Sequence, residues 1–157
     1  MNGRIVGGFL VLSALVAGAA IWYLQEYGYY AEVPASAPEA AITLTGLDGV
    51  AEPLVTAGFR GIDAGSSPLR FRACFTTPVS LATLTETFRI YDHPTPLIGP
   101  RWFDCFDAGR LTEDLETGAA VAFLGKAGIH PGVDRVVAIY PDGRAFAWHQ
   151  LDGGGDE

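Results

Sequence analysis

Apolar and polar positions divide the chain into two unequal parts. Ile5 to Leu24, IVGGFLVLSALVAGAAIWYL, is an uncharged apolar run between Arg4 and the acidic, aromatic Gln25 to Tyr30. At 1.5 Å per residue a helix of that length covers about 30 Å, the hydrocarbon thickness of a bilayer. The pattern predicts one membrane helix over 5–24. Ala31 to Ala41, AEVPASAPEAA, then has too little apolar bulk to pack, and reads as an extended spacer of roughly 30 Å.

Beyond residue 41 the apolar spacing changes from continuous to periodic. Ile42 to Thr45 alternates and predicts a first strand, followed by glycine and proline punctuation over Gly46 to Pro53. Leu69 to Phe75 alternates more clearly, with Leu69, Phe71, Ala73 and Phe75 on one face and Arg70, Arg72 and Cys74 on the other. That strand is expected to have one core face and one polar face. Thr77-Pro78 resembles a helix start with proline at its first position, and Leu81, Leu84 and Phe88 then share one helical face.

From Arg89 to Phe106 the stretch RIYDHPTPLIGPRWFDCF holds three prolines, which neither continue a helix nor suit an interior strand. It predicts a long shaped loop, the kind of segment in which function concentrates, although its aromatic residues would serve equally to cover a sheet edge. A second short helix is expected with Asp107 as N-cap, Leu111 and Leu115 inward and Gly118 at its end. Ala119 to Leu124 reads as a buried strand. Asp134 to Tyr140 and Ala145 to Leu151 predict a hairpin across Pro141-Asp142-Gly143-Arg144. The expected fold class is α+β: one N-terminal transmembrane helix plus a small, largely antiparallel sheet domain with two short helices over 42–151. Residues 152–157 should be a disordered tail.

Charge gives the helix a direction. Arg4 and the amino terminus favour the cytoplasm, and the far flank offers Glu26 with no nearby Lys or Arg. Residues 1–4 are then cytoplasmic, 5–24 form a signal-anchor, 25–41 are collar and linker, and the domain lies in the periplasm of a bacterial inner membrane. Trp22, Tyr23, Tyr27, Tyr29 and Tyr30 make an aromatic collar at the exit. The competing reading is a cleaved signal peptide, because Ala17-Gly18-Ala19 resembles a small-residue cleavage site. Gly3, Gly7, Ala14 and Gly18 lie on one helix stripe with small-xxx-small spacing, which would suit a homodimer or a second membrane helix. Small residues are common in membrane helices in any case.

The chain carries a formal net charge of -8, and since Arg4 and Glu26 cancel, all of it falls after Tyr30. An acidic domain repels polyanions, so nucleic acid is excluded as a partner class. Nucleotide binding is unsupported as well: Gly118 to Lys126 ends in Gly-Lys, but its glycines are too far apart for a P-loop and Ala127 stands where a magnesium-binding hydroxyl would be needed. The common hydrolase and metalloprotease signatures are missing, no cofactor is expected, and no catalytic residues are assigned.

Cys74 and Cys105 are the only cysteines. Placed outside the cytoplasm they are expected to form a disulfide; two buried thiols, or a metal or redox pair with His93, His130 or His149, are the alternatives. The wide spacing supports no particular metal site. Asp63, Asp92, Asp104, Asp107 and Asp134 with Arg70, Arg72, Arg101 and Arg135 offer a paired-carboxylate site or an anion pocket, against the plainer roles of turn residues, caps and surface ion pairs. Within the long loop, Asp92, His93, Arg101, Trp102 and Asp104 are the candidate ligand residues.

The blocks SSPLRFRACF (66–75), WFDCFDA (102–108) and DRVVAIYPDGRAFAWHQ (134–150) resemble a family of uncharacterised, single-pass membrane-anchored proteins of alphaproteobacteria. The resemblance implies the location and a single domain, and carries over no functional residue. The expected function is a non-catalytic accessory or interaction protein, a helper subunit of an envelope complex. The alternative is a small-ligand or metal-handling periplasmic domain that uses Cys74, Cys105 and the 92–107 loop.

Overall fold

The computed structural model describes residues 2–153. Of the expected tail, 154–157 lie outside the described residues, while Asp152 still donates its N–H to the Gly132 carbonyl.

The apolar run forms helix α1, Gly3–Tyr23, and continues through one π-helical turn, Leu24–Gly28. The combined helix of 26 residues contains an 18-residue stretch of mean hydropathy 2.2 and is long and apolar enough to cross a membrane. None of its residues is buried against the rest of the chain. At its end Tyr27 stacks on Tyr23 and meets Trp22 edge-on.

The segment after the helix is not the free spacer expected from its composition. Strand β1, Ala31–Val33, pairs antiparallel with β4, Ala57–Asp63, placing Ala31 opposite Asp63 and Val33 opposite Gly61. A three-residue edge strand needs little apolar bulk, and Pro34 ends it because proline lacks the N–H the ladder requires. A single 3-10 turn, Pro38–Ala40, then leads to β2, Thr43–Thr45, which pairs with β3, Ala51–Pro53. The strand expected over 42–45 is thus present.

Three long strands follow among the remaining elements. Strand β5, Arg72–Thr76, is succeeded by helices α2, Leu81–Thr87, and α3, Ala108–Glu116, then by β6, Val121–His130, β7, Val133–Ile139, and β8, Arg144–Leu151. Six strands form one antiparallel sheet in the order β1-β4-β5-β8-β7-β6, and β2-β3 is a separate ribbon. The 140–143 turn joins β7 to β8 as the turn residues predict. Gly143 has φ +87, and a Cβ there would stand 2.6 Å from the Thr77 carbonyl. Only glycine tolerates both conditions.

Both faces of the sheet are covered. On one, Phe71, Ala73, Phe75, Val137, Ile139, Ala145 and Ala147 pack with Leu44, Leu54 and Leu84 from the ribbon and α2. On the other, Cys74, Val136, Ala138 and Trp148 pack with Phe103, Phe106 and Leu111 from the long loop and α3. This corrects the expectation of a polar face on the 69–75 strand: Arg72 is 2% exposed and Cys74 8%. Full burial of both faces also explains why every residue of β7 is buried, a pattern more common in parallel sheets.

Two boundaries differ from expectation. The first short helix is capped by Ser80, whose hydroxyl accepts the Thr83 N–H, instead of beginning at Thr77-Pro78. Thr77 is already engaged, donating its N–H to the Gly143 carbonyl. Strand β6 outlasts the expected 119–124 segment through a register shift between Leu124 and Lys126. Gly125 permits the close approach there, since a Cβ would lie 2.9 Å from the Arg135 carbonyl, and its own carbonyl accepts the Thr43 and Thr45 hydroxyls. The second helix begins at Asp107 as expected, with its side chain accepting the Arg110 N–H.

Candidate functional site

The chemistry-bearing side chains collect at the end of the sheet nearest the apolar helix. Arg70 lies over the rings of Tyr29 and Tyr30, 5.7 and 5.3 Å from their centroids, and so marks that end. Two buried arginines stand beside it, one on each face.

Arg72 points into the face covered by the long loop. Its Nε donates to the Leu97 carbonyl at 2.7 Å, and its terminal nitrogens reach the carbonyls of Leu69, Phe71 and Ile98. Burial lowers its pKa to about 10, which leaves it charged at neutral pH. A planar guanidinium with five donors can hold several carbonyls at once, whereas a lysine cannot match that fork. Arg72 therefore fixes the backbone of the loop at 97–98.

Arg135 does the same on the other face. Its Nη1 donates to the carbonyls of Glu39 and Ala41, its Nε donates to His149 Nε2 at 3.1 Å, and its guanidinium lies 4.0 Å above the Phe71 ring. Because Nε2 of His149 accepts, its Nδ1 carries the proton and donates to the Pro68 carbonyl at 2.8 Å. Desolvation, then the neighbouring Arg135 charge, pushes the His149 pKa down to about 4. Asp63, half-buried nearby, is raised, chiefly by desolvation. A cleft of about 420 Å³ opens onto Asp63, His130, Arg135 and His149. Shifted titratable groups in a cleft are a general mark of a functional site. Here, however, Nε and Nη1 of Arg135 and both ring nitrogens of His149 bond the chain's own atoms. Among the described residues, no buried side-chain nitrogen or oxygen lacks a hydrogen-bond partner.

The five candidate loop residues divide among three places. Asp92 and His93 line a cleft of about 630 Å³ with Tyr91, Asp134 and Gln150. His93 adopts φ 55, and its carbonyl accepts from Gln150 Nε2. Tyr91 donates to Asp134, and burial together with that carboxylate raises the Tyr91 pKa. Arg101 and Trp102 sit at the helix: the Arg101 N–H donates to Glu26 Oε1 and Trp102 Nε1 donates to the Glu26 carbonyl, each at 2.6 Å. Asp104 forms an exposed ion pair with Arg60 at 3.0 Å.

Cys74 and Cys105 are joined by a disulfide, as expected. Its thiolates are therefore not available as ligands, which removes the sulfur donors from the alternative metal-handling site. Gly3, Gly7 and Gly18 have no heavy atom of the rest of the chain within 4 Å of an added Cβ, so the stripe they share with Ala14 is open along α1.

The match to known proteins covers most of the domain and its tail. Residues 42–157 match the model of DUF6446, a family of unknown function. The chain belongs to this family. No curated protein and no solved structure matches it.

The span matched to DUF6446 starts one residue before β2 and leaves out α1 and β1. Both buried arginines, the disulfide and the long loop fall inside it. Glu26 falls outside, and it gave no signal in sequence because a lone glutamate beyond an apolar run reads as a flank. The Arg135–His149 pair was likewise obscured. The visible clue was a pair of polar residues in otherwise apolar strands, and their pairing needed the register that sets Arg135 opposite His149.

Proposed function

We propose that the protein is a membrane-anchored extracytoplasmic interaction domain with no catalytic role. Residues 5–24 of the helix cross the bacterial inner membrane with residues 1–4 in the cytoplasm, and the 42–151 domain works in the periplasm as a helper subunit of an envelope complex. One observation carries the reading: an apolar helix of 26 residues buries none of them against its own chain, which suits a cover of lipid or of another membrane helix. Arg4 and the amino terminus before the apolar run, with no Lys or Arg close behind it in the sequence, favour this direction. The Cys74–Cys105 disulfide fits an oxidising compartment. The open stripe of Gly3, Gly7, Ala14 and Gly18 offers a packing face to a second copy or to a partner's helix.

Alkaline carbonate extraction combined with protease treatment of spheroplasts tests the anchor. Retention in the membrane, with the domain digested from outside, is the expected result. Release of a soluble domain whose new N-terminus follows Ala19 would overturn it. Mild-detergent purification tests the interaction role, for which co-purification of a stoichiometric membrane partner or a dimer is expected and a solitary monomer counts against it.

A further inference from the structure

The loop 97–102 is held level with the end of the apolar helix. Glu26 accepts both the Arg101 N–H and the Trp102 indole N–H. The rise from Gly3 to Glu26 is about 35 Å, a little more than the roughly 30 Å of bilayer hydrocarbon. A helix centred in the membrane therefore places Glu26, and the loop bonded to it, at the headgroup level.

The loop presents an apolar side chain there. Ile98 is 83% exposed, the most exposed large hydrophobic among the described residues, ahead of the large apolar side chains of α1. Its projection is built into the fold. Arg72 beneath holds the carbonyls of both Leu97 and Ile98, so the backbone that carries this side chain is fixed from within. The same loop and the helix end carry side chains that favour a membrane interface: Trp102 meets Tyr30 edge-on, Arg70 lies over the rings of Tyr29 and Tyr30, and Arg101 is exposed.

We infer that the 97–102 loop is a second membrane contact, with Ile98 inserted at the headgroup–acyl boundary of the bilayer that α1 crosses and Arg101 reaching the lipid phosphates. The domain then lies against the bilayer in a fixed attitude and does not swing on a tether. The occupant is a lipid surface because the loop is continuous, through Glu26, with the helix end, and because the two together carry interfacial aromatic and cationic residues. The net charge of -8 rules out general electrostatic adhesion to anionic lipid, so the contact depends on this one apolar tip and its two arginines. The inference rests on the proposed reading of α1 as a membrane span.

Single-cysteine labelling of the full chain, with the 74–105 disulfide intact, tests it. An environment-sensitive fluorophore is placed in Ile98→Cys, in Leu12→Cys within the helix, and in Asp142→Cys. Residue 142 lies beyond the far end of the sheet, next to Arg144, which pairs with Thr76. The proteins are reconstituted into phosphatidylcholine vesicles carrying spin-labelled lipid, shallow for position 98 and deep for position 12. The expected result is a blue shift and quenching at 98 and no quenching at 142. Arg101→Cys, also exposed, gives a second reading of the same loop. If position 12 is quenched while 98 and 101 behave like 142, the inference is overturned and the anchor stands. If position 12 is not quenched, the anchor reading fails and the inference with it.

Discussion

Trp102 Nε1 donates to the backbone carbonyl of Glu26 at 2.6 Å, joining the long loop of the domain to the last turn of a helix 76 residues earlier in the chain. The adjacent Arg101 N–H bonds the Glu26 carboxylate, so two consecutive residues grip one residue of the helix. Trp102→Phe keeps an aromatic ring beside Tyr30 and removes the indole donor. Loss of one such bond weakens the junction by about 1 kcal/mol, enough to loosen it without unfolding the sheet. Spin labels at Leu12 and Asp142 should show a broadened distance distribution in the variant, with an unchanged thermal midpoint for the domain.

The disulfide ties the centre of β5 to the loop. Cys74 and Cys105 are separated by 31 residues, and closing such a loop stabilises the fold by about 3–4 kcal/mol in the chain-entropy model. The paired variant Cys74→Ala/Cys105→Ala should therefore unfold at a markedly lower urea concentration than the oxidised protein, with the two transitions compared by far-UV circular dichroism. Thiol titration of the untreated, denatured protein should find no free thiol.

What could be read from sequence was local. The hairpin at 140–143 and the Asp107 cap depend on residues within a few positions of each other, and turn and cap chemistry identifies such features directly. The fate of Arg72 was not legible, because alternation shows only that a side chain faces away from Phe71 and Ala73. That this second face is roofed by Phe103 and Phe106 is a tertiary fact. Ala31–Val33 was missed for a related reason: an edge strand of small residues takes its stability from the β4 ladder and not from its own composition. Among the site residues, the 89–106 loop was recognisable from its prolines, whereas its division between one cleft, the helix end and a surface ion pair depends on how it crosses the sheet.

Arg72 gives the sharpest test of how that loop is held. Arg72→Met retains most of the aliphatic length and removes every donor to the carbonyls of Leu69, Phe71, Leu97 and Ile98. Carbonyls left unpaired in a buried setting are costly, and a loss of about 3 kcal/mol is expected. Arg72→Lys should recover only part of it, since one ammonium cannot reach four acceptors in a fork. Hydrogen exchange should rise first at 97–102 in both variants, ahead of global unfolding in urea.

His149 makes stability depend on pH in a defined window. In the unfolded chain its pKa lies near 6.5, and in the fold it is lowered to about 4 by desolvation and by Arg135. Between those values the unfolded state binds the proton and the folded state does not, so stability falls as pH drops from about 6.5 towards 4. Below that window both states are protonated and this contribution stops changing. The full loss is on the order of 3 kcal/mol. Asp63 acts in the opposite sense near the carboxylate range, because its folded pKa is raised and folding there favours proton uptake. His130, whose ring centroid lies 5.8 Å from that of His149, and Arg135 both face the group and disfavour a second positive charge. His149→Gln keeps hydrogen-bonding capacity without titrating. Urea unfolding at a series of pH values should therefore show a decline from neutral pH to about pH 4.5 in the native protein and a clearly shallower one in the variant; equal slopes would mean that the decline has another source.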